Sequence, residues 1–544
     1  MPKPLPPQQT VDHVVPRGFP ARITGALLAA IMVVALVLHL WGIRRDLPFD
    51  PDIDEPQFVL AAVRIAATGN LNPGWFGNPG STLIYPMAAV YRAWEVVDRA
   101  GFMQGISEFY QLGRYVSVAY ALLSIPLVYL LGRLAFAGSE PTEGAVVGLI
   151  AAWFSVLSPL AVEHAQVTRT DSVSVFFTLL TLSLCMLLYA QPTPWRALLA
   201  GAASGLAVST KYSLAALVPV VLIVLAVALW RETHRPPLRA SPRRAQPAAS
   251  LPNVWGCLIA AAVAAPLAFV ASSPYLFLDS ATALANLRTE ARSTHLGADG
   301  WSPLQNFYWY IASVIPTNLE LPRTFLAVAA AALAGWRRQA GRLILLGFVF
   351  LYLVEVSLHP LHWARWIIPL LPLCMLFAAS ALYSLVAAAG SRFHAPAAVR
   401  VIALLLAIAC ISYSPARSII AADVIHAHPS TQIVAREWVI QNLPPGSRIA
   451  QEWFTAPLDK TGFEVGRQLS LADHSVEQYA RAGYRYVMVS SAIDQAYLNE
   501  PERYVTEIAF YNTLSTTARL LQQFEPSATR GGPTVRIYEL TPLP

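Results

Sequence analysis

Charge is the scarce ingredient of this sequence. Only 13% of its 544 residues are Asp, Glu, Lys or Arg, against about 25% in a soluble globular chain. Over such a length that deficit argues against a water-facing enzyme and against a disordered chain. It also argues against a nucleic-acid partner: the net charge is +6, but the Arg residues are scattered between apolar runs instead of lining one face. Cysteine is scarce too. Cys185, Cys257, Cys374 and Cys410 all sit inside apolar runs with no CxxC, which excludes a disulfide framework or a zinc-ligand motif. Repeats of fixed period are lacking. The Pro-rich, polar first 23 residues do not read as a cleavable signal peptide.

What is present is apolar. Hydrophobic residues make up 55% of the chain and the mean hydropathy is +0.48. Apolar runs long enough, or nearly so, to cross a bilayer occur near 23–42, 115–136, 145–163, 172–190, 195–210, 213–230, 254–273, 324–336, 343–358, 366–388 and 399–416. The expected fold is a polytopic α-helical membrane protein of about eleven spans. Arg231, Arg235, Arg239, Arg243 and Arg244, with Arg337, Arg338 and Arg342, mark cytoplasmic loops by the positive-inside rule. The expected organisation is a cytoplasmic tail over 1–22 and a membrane domain over 23–420. The latter includes external loops 43–114 and 274–322 and a cytoplasmic loop 231–252. Polar, alternating stretches such as 484–490 and 534–540, and a helical period over 431–442, predict a soluble α/β domain over 421–544, outside the cytoplasm.

Two acidic segments meet the outer face in this topology. The first loop carries Asp50, Asp52, Asp54 and Glu55 just after the first span. Residues 55–68 then form an amphipathic pattern, with Phe58, Val59, Ala62, Ile65 and Ala66 on one face. Asp54 there is either a helix cap in a solvated loop or a base. Asp171, preceded by Arg169, opens the fourth span and is either a cap or a second site carboxylate. The run 81–97 reads as a further interfacial helix. Lys211, Tyr275 and the segment His359-Pro-Leu-His362-Trp363-Ala-Arg365-Trp366 fall at the outer boundary. They are either snorkelling and belt residues or a pocket for a lipid phosphate, with Arg as a fork and Lys as a point charge.

Asp54-Glu55 after the first span is followed by Thr68-Gly69-Asn70 and Trp75-Phe76-Gly77-Asn78-Pro79. Arg169-Thr170-Asp171, Thr210-Lys211-Tyr212, Ser273-Pro274-Tyr275 and Arg365-Trp366 come later. This order, over about 24–416, resembles the GT-C glycosyltransferases of the family-39-like kind, the protein O-mannosyltransferases and aminoarabinose transferases. The resemblance implies a membrane enzyme that moves a sugar, with inversion, from a polyprenyl-phosphate donor to an extracytoplasmic glycan, lipid or protein. The implied catalytic acids are Asp54, with Glu55 as neighbour, and Asp171. The implied donor-phosphate residues are Lys211, Arg365, Tyr275 and Arg169, and Asn78, Tyr85, His362 and Trp363 line the substrate pocket. No cofactor and no metal are demanded, since protein cations can stabilise a leaving lipid phosphate. Relatives carry a Lys-Pro-Pro-like element where this chain reads Gly77-Asn78-Pro79-Gly80; Arg64 and Arg292 are the candidates to replace its phosphate contact. A lipid-linked glycan ligase or polymerase, and a transporter or flippase, are the alternatives. A transporter favours mid-membrane charges and internal repeats, which this sequence lacks.

Overall fold

The computed structural model describes residues 21–49, 52, 54–138, 142–234, 253–290 and 300–541. The tail 1–20, Asp50, most of the Arg-rich loop 231–252 and Arg292 lie outside the described residues. The chain divides into two units. One comprises Met1–Leu40, Gln57–Met103 and Leu112–Ile419; the other comprises Trp41–Pro56, Gln104–Gln111 and Ile420–Pro544.

All eleven apolar runs of the first unit are helical. Eight helices among the described residues are long and apolar enough to cross a membrane. The pair Glu143–Val156 and Pro159–Ala165 passes the same test together but is bent by 64°, and makes a ninth if it is one span; Pro159 lacks the amide a continuous helix needs. The remaining two runs are the helices Pro194–Thr210 and Ile315–Trp336. The second is broken at Glu320, whose φ is 60°, just before Leu321-Pro322. The 17-residue helix Pro194–Thr210 packs along Val254–Ser272 on a small-residue face. A Cβ on Gly205 would stand 2.1 Å from the Ala265 carbonyl oxygen, so any larger residue there forces the two helices apart.

The first-loop helix forms over Glu55–Thr68. Phe58, Val59, Ala62, Ile65 and Ala66 are all at most 5% exposed, whereas Leu60 is 56% exposed. The 3.6-residue pattern therefore selects the buried face as expected. The second expected interfacial helix is Ser81–Val97.

The second unit contains a five-stranded sheet ordered β2-β1-β3-β5-β4. Its strands are β1 (Arg448–Glu452), β2 (Glu464–Gln468), β3 (Tyr486–Ser490), β4 (Arg519–Phe524) and β5 (Val535–Glu539). β1 pairs in parallel with β2 and β3, and β5 runs antiparallel to β3 and β4. Helix Thr431–Asn442 is capped by Ser430 and covers one face, with Ala435 and Val439 against Ile449, Met488 and Ile537. Phe510 and Leu514 cover the other face against Ala450, Val487 and Val489. Period-2 burial thus gives both sheet faces a core.

Glu452 ends β1 with no exposed surface. Its carboxylate accepts from the Leu471 amide at 3.1 Å, the Ser490 amide at 3.0 Å and the Tyr511 hydroxyl. Burial pushes its carboxyl up to about 7 despite these donors. The folded domain keeps this proton between pH 4.5 and about 7, where the unfolded chain has lost it. The contribution is therefore full below pH 4.5 and lost as pH rises through about 7. It is on the order of 3 kcal/mol. Hydrogen exchange at the β1 and β3 amides should quicken over that interval in the native protein. That pH slope should flatten in Glu452→Gln.

Candidate active site

Asp171 lies in the first turn of helix Thr170–Ala190 and is 2% exposed. A buried carboxylate at a span end is costly unless cations answer it. Here they do. Lys211 Nζ donates to Asp171 Oδ1 at 3.2 Å, and Arg365 and Arg169 act on the carboxylate electrostatically. The positive end of the helix dipole adds to this field. His164 Nδ1 stands 3.6 Å from Asp171 Oδ2. Arg169 Nη1 donates to that same Nδ1 at 3.3 Å. A guanidinium only donates, so Nδ1 is the acceptor and the ring carries its proton on Nε2. His164 Nδ1 and Asp171 Oδ2 are then two acceptors 3.6 Å apart, neither a hydrogen bond nor an ion pair.

Lys211 is delivered by the end of a helix. Pro194–Thr210 stops because Lys211 turns to an extended backbone, φ −155° and ψ 130°, before the 3-10 turn Tyr212–Ala216. The freed Thr210 carbonyl accepts from the Gly80 amide at 3.3 Å, and the Thr210 and Thr82 hydroxyls bond at 2.7 Å. Gly80 has φ 57°, a conformation that glycine adopts at no steric cost. The tip of the Asn78-Pro79-Gly80 segment is therefore tied to the base of Lys211. From the same segment, Asn78 Nδ2 donates to Thr170 Oγ1 at 3.1 Å, beside Asp171.

Arg365 comes from a 3-10 helix, Ala364–Leu370, that precedes helix Leu371–Arg392. Pro369 lacks an amide to donate and so disfavours a regular α-helical start. The Arg365 guanidinium lies 5.5 Å from the Trp363 ring centre. It interacts electrostatically with Asp171, Lys211 and His164. Lys211 Nζ is 5.9 Å from the Trp366 ring centre. The Tyr352 hydroxyl donates to the Trp366 carbonyl at 2.8 Å and holds that corner.

Three further expected pocket residues, and Arg64 as the candidate phosphate contact, are placed as follows. The Trp363 amide donates to the Tyr310 hydroxyl at 3.2 Å. His362 stacks on Trp301, with ring centres 4.5 Å apart. Tyr85 donates to the Leu71 carbonyl at 3.1 Å and is in electrostatic reach of Tyr275. Arg64 donates to the Asn72 and Pro73 carbonyls, so it braces the first loop.

Asp54 and Glu55 belong to the second unit. Glu55 has no exposed surface; its Oε2 accepts from the Asp52 amide at 2.9 Å, and Asp52 Oδ1 accepts from the Asp54 amide at 3.1 Å. Glu55 thus ties the loop back onto its helix, while Asp54 is half-buried directly before that helix. The two acids of the pair have different surroundings, which their sequence alone does not distinguish.

Sequence reasoning assigned no role to His164 or Tyr352. His164 sits in the same acidic segment as Asp171 and was findable there. Tyr352 lies within an apolar span and carries no local signal.

Residues 98–255 match the family model for dolichyl-phosphate-mannose-protein mannosyltransferases. No curated protein matches the chain. Among solved structures, ArnT from Cupriavidus metallidurans bound to undecaprenyl phosphate is similar over 94% of this chain and 98% of that one, with 14% identity and a TM-score of 0.55. Its apo state gives 15% identity, 95% and 98% coverage and a TM-score of 0.56. The archaeal oligosaccharyltransferase AglB from Archaeoglobus fulgidus, in complex with an inhibitory peptide and a dolichol-phosphate, gives 14% identity, 94% and 74% coverage and a TM-score of 0.50. Residues 98–255 are therefore similar to the protein-mannosyltransferase family, and the chain as a whole shares the GT-C membrane fold of ArnT and AglB.

Proposed function

We propose that this protein is a membrane glycosyltransferase that transfers a sugar from a polyprenyl-phosphate donor to an acceptor outside the cytoplasm, inverting the anomeric carbon. The observation that carries the reading is the convergence of Lys211, Arg365 and Arg169 around one buried carboxylate, Asp171. Three cations thus gather at one span end, and a leaving phosphate is stabilised by such cations. The lipid phosphates in the ArnT and AglB structures support the donor class. In this reading Arg365 and Lys211 stabilise the phosphate. Asp171 holds Lys211 in place. Asp54 takes the proton of the acceptor hydroxyl or amine as the new glycosidic bond forms and the bond from C1 to the phosphate oxygen breaks. The acceptor is a glycan, lipid or protein group.

Removing a charged partner costs about 1.5–3 kcal/mol, roughly tenfold or more in donor affinity. Arg365→Ala should therefore raise the apparent KM for the lipid-phosphate donor by that factor. An unchanged donor KM would return Arg365 to a headgroup-facing role.

The reading also places the C-terminal unit outside the cytoplasm, in a plasma-membrane topology with the N-terminus inside. The motive is the set of Arg residues over 231–244 and 337–342. A reporter fused after Pro544 should be active only when it is exported; activity confined to a cytoplasmic reporter would reverse the topology.

A further inference from the structure

One carboxylate beside the cationic corner has no part in the reaction described above. Glu355 lies near the end of helix Ala340–Ser357. Its Oε1 stands 3.7 Å from His359 Nε2. Its Oε2 is buried and has no hydrogen-bond partner among the described residues, although the side chain as a whole is 28% exposed. Glu355 acts electrostatically on Lys211 and on Tyr352. Around it, the His359 ring meets the Trp366 ring edge-on at 5.7 Å, and Lys211 approaches the same indole.

A carboxylate oxygen only accepts, and a buried acceptor without a donor is unfavourable. A ligand that brings a hydroxyl or ammonium hydrogen to the exposed part of the carboxylate, so that Oε2 turns toward it, relieves that cost. A group carrying such hydrogens next to a phosphate held by Lys211 and Arg365 is a phosphate-linked sugar, whose ring can also stack on an indole. We propose that Glu355 is the specificity-determining carboxylate for the transferred sugar and accepts a hydrogen bond from a sugar hydroxyl or amino group. This rests on the lipid-phosphate reading above.

The test measures binding of two kinds of probe to the full-length protein: undecaprenyl phosphate without sugar, and a panel of undecaprenyl-phosphate hexoses and pentoses. The native chain should prefer at least one glycosylated lipid over the bare one. In Glu355→Ala that preference should fall at least about tenfold, with affinity for undecaprenyl phosphate unchanged; Glu355→Gln, whose amide oxygen still accepts but carries no charge, should lose part of it, and Glu355→Asp should regain part of it. An equal loss for bare and glycosylated lipids would make Glu355 a mere support of Lys211 and overturn the proposal. So would a preference that survives Glu355→Ala, or a native chain that binds every lipid alike. If the native chain binds none of these lipids, the lipid-phosphate reading falls first and the proposal with it.

Discussion

Asp54→Asn should lower sugar transfer by at least about a hundredfold while the protein inserts at near-normal levels. Asn keeps the size of Asp and much of its ability to open a helix, so Glu55–Thr68 should still form. What is lost is the negative charge and the capacity to take a proton, and general bases contribute about 10²–10⁴-fold. The neighbouring acids serve as controls. Glu55 is buried and holds the Asp52 amide; Gln can still accept that bond, so Glu55→Gln should retain most transfer. If Glu55→Gln or Asp52→Asn abolishes transfer while Asp54→Asn does not, the assignment shifts to another acid in the same loop. If all three variants stay active, this loop does not supply the base.

The second large effect concerns the Asp171–Lys211 pair. Both side chains are buried, at 3% and 10% exposure, and 3.2 Å apart. Deleting one partner strands the other charge, which typically costs about 3–5 kcal/mol. Asp171→Asn and Lys211→Met should each lower thermal stability in detergent. Removing both charges removes the stranded one, so the double variant should recover much of that loss. Transfer should not recover, because Lys211 is a donor-phosphate cation. Strictly additive stability losses would show that the pair is not coupled. Recovered transfer in the double variant would show that Lys211 does not serve the donor.

Much of the fold was legible because the bilayer imposes a simple code. Every apolar run is helical, and the period-3.6 stripe of Glu55–Thr68 is its buried face. The bounds of Thr431–Asn442 follow from Ser430 at its start and Pro444-Pro445 after its end. The helix Pro194–Thr210 was harder to read because its apolar face is made of Gly, Ala and Ser. Such residues contribute little to hydropathy but allow the approach seen at Gly205. The candidate site was legible in residue types and not in partnerships. Asp171 stood out in the sequence as an acid at a span end, with adjacent Arg169 as its natural neutraliser. Lys211, 40 positions away, is its hydrogen-bonded partner. Only the tertiary fold joins two span ends in this way, and no local spacing encodes it. Glu355 was passed over for a similar reason: a lone acid at the end of an apolar helix has no motif, and its importance lies in what surrounds it.

The most direct measurement is transfer of label from a panel of radiolabelled polyprenyl-phosphate sugars in membranes that carry the native protein or Asp54→Asn. Native membranes should release free polyprenyl phosphate and move label from at least one sugar to a new product, and the Asn variant should do so at about one hundredth of the rate or less. Native membranes that transfer none of the sugars, or an Asn variant that keeps pace with the native protein, would contradict the account.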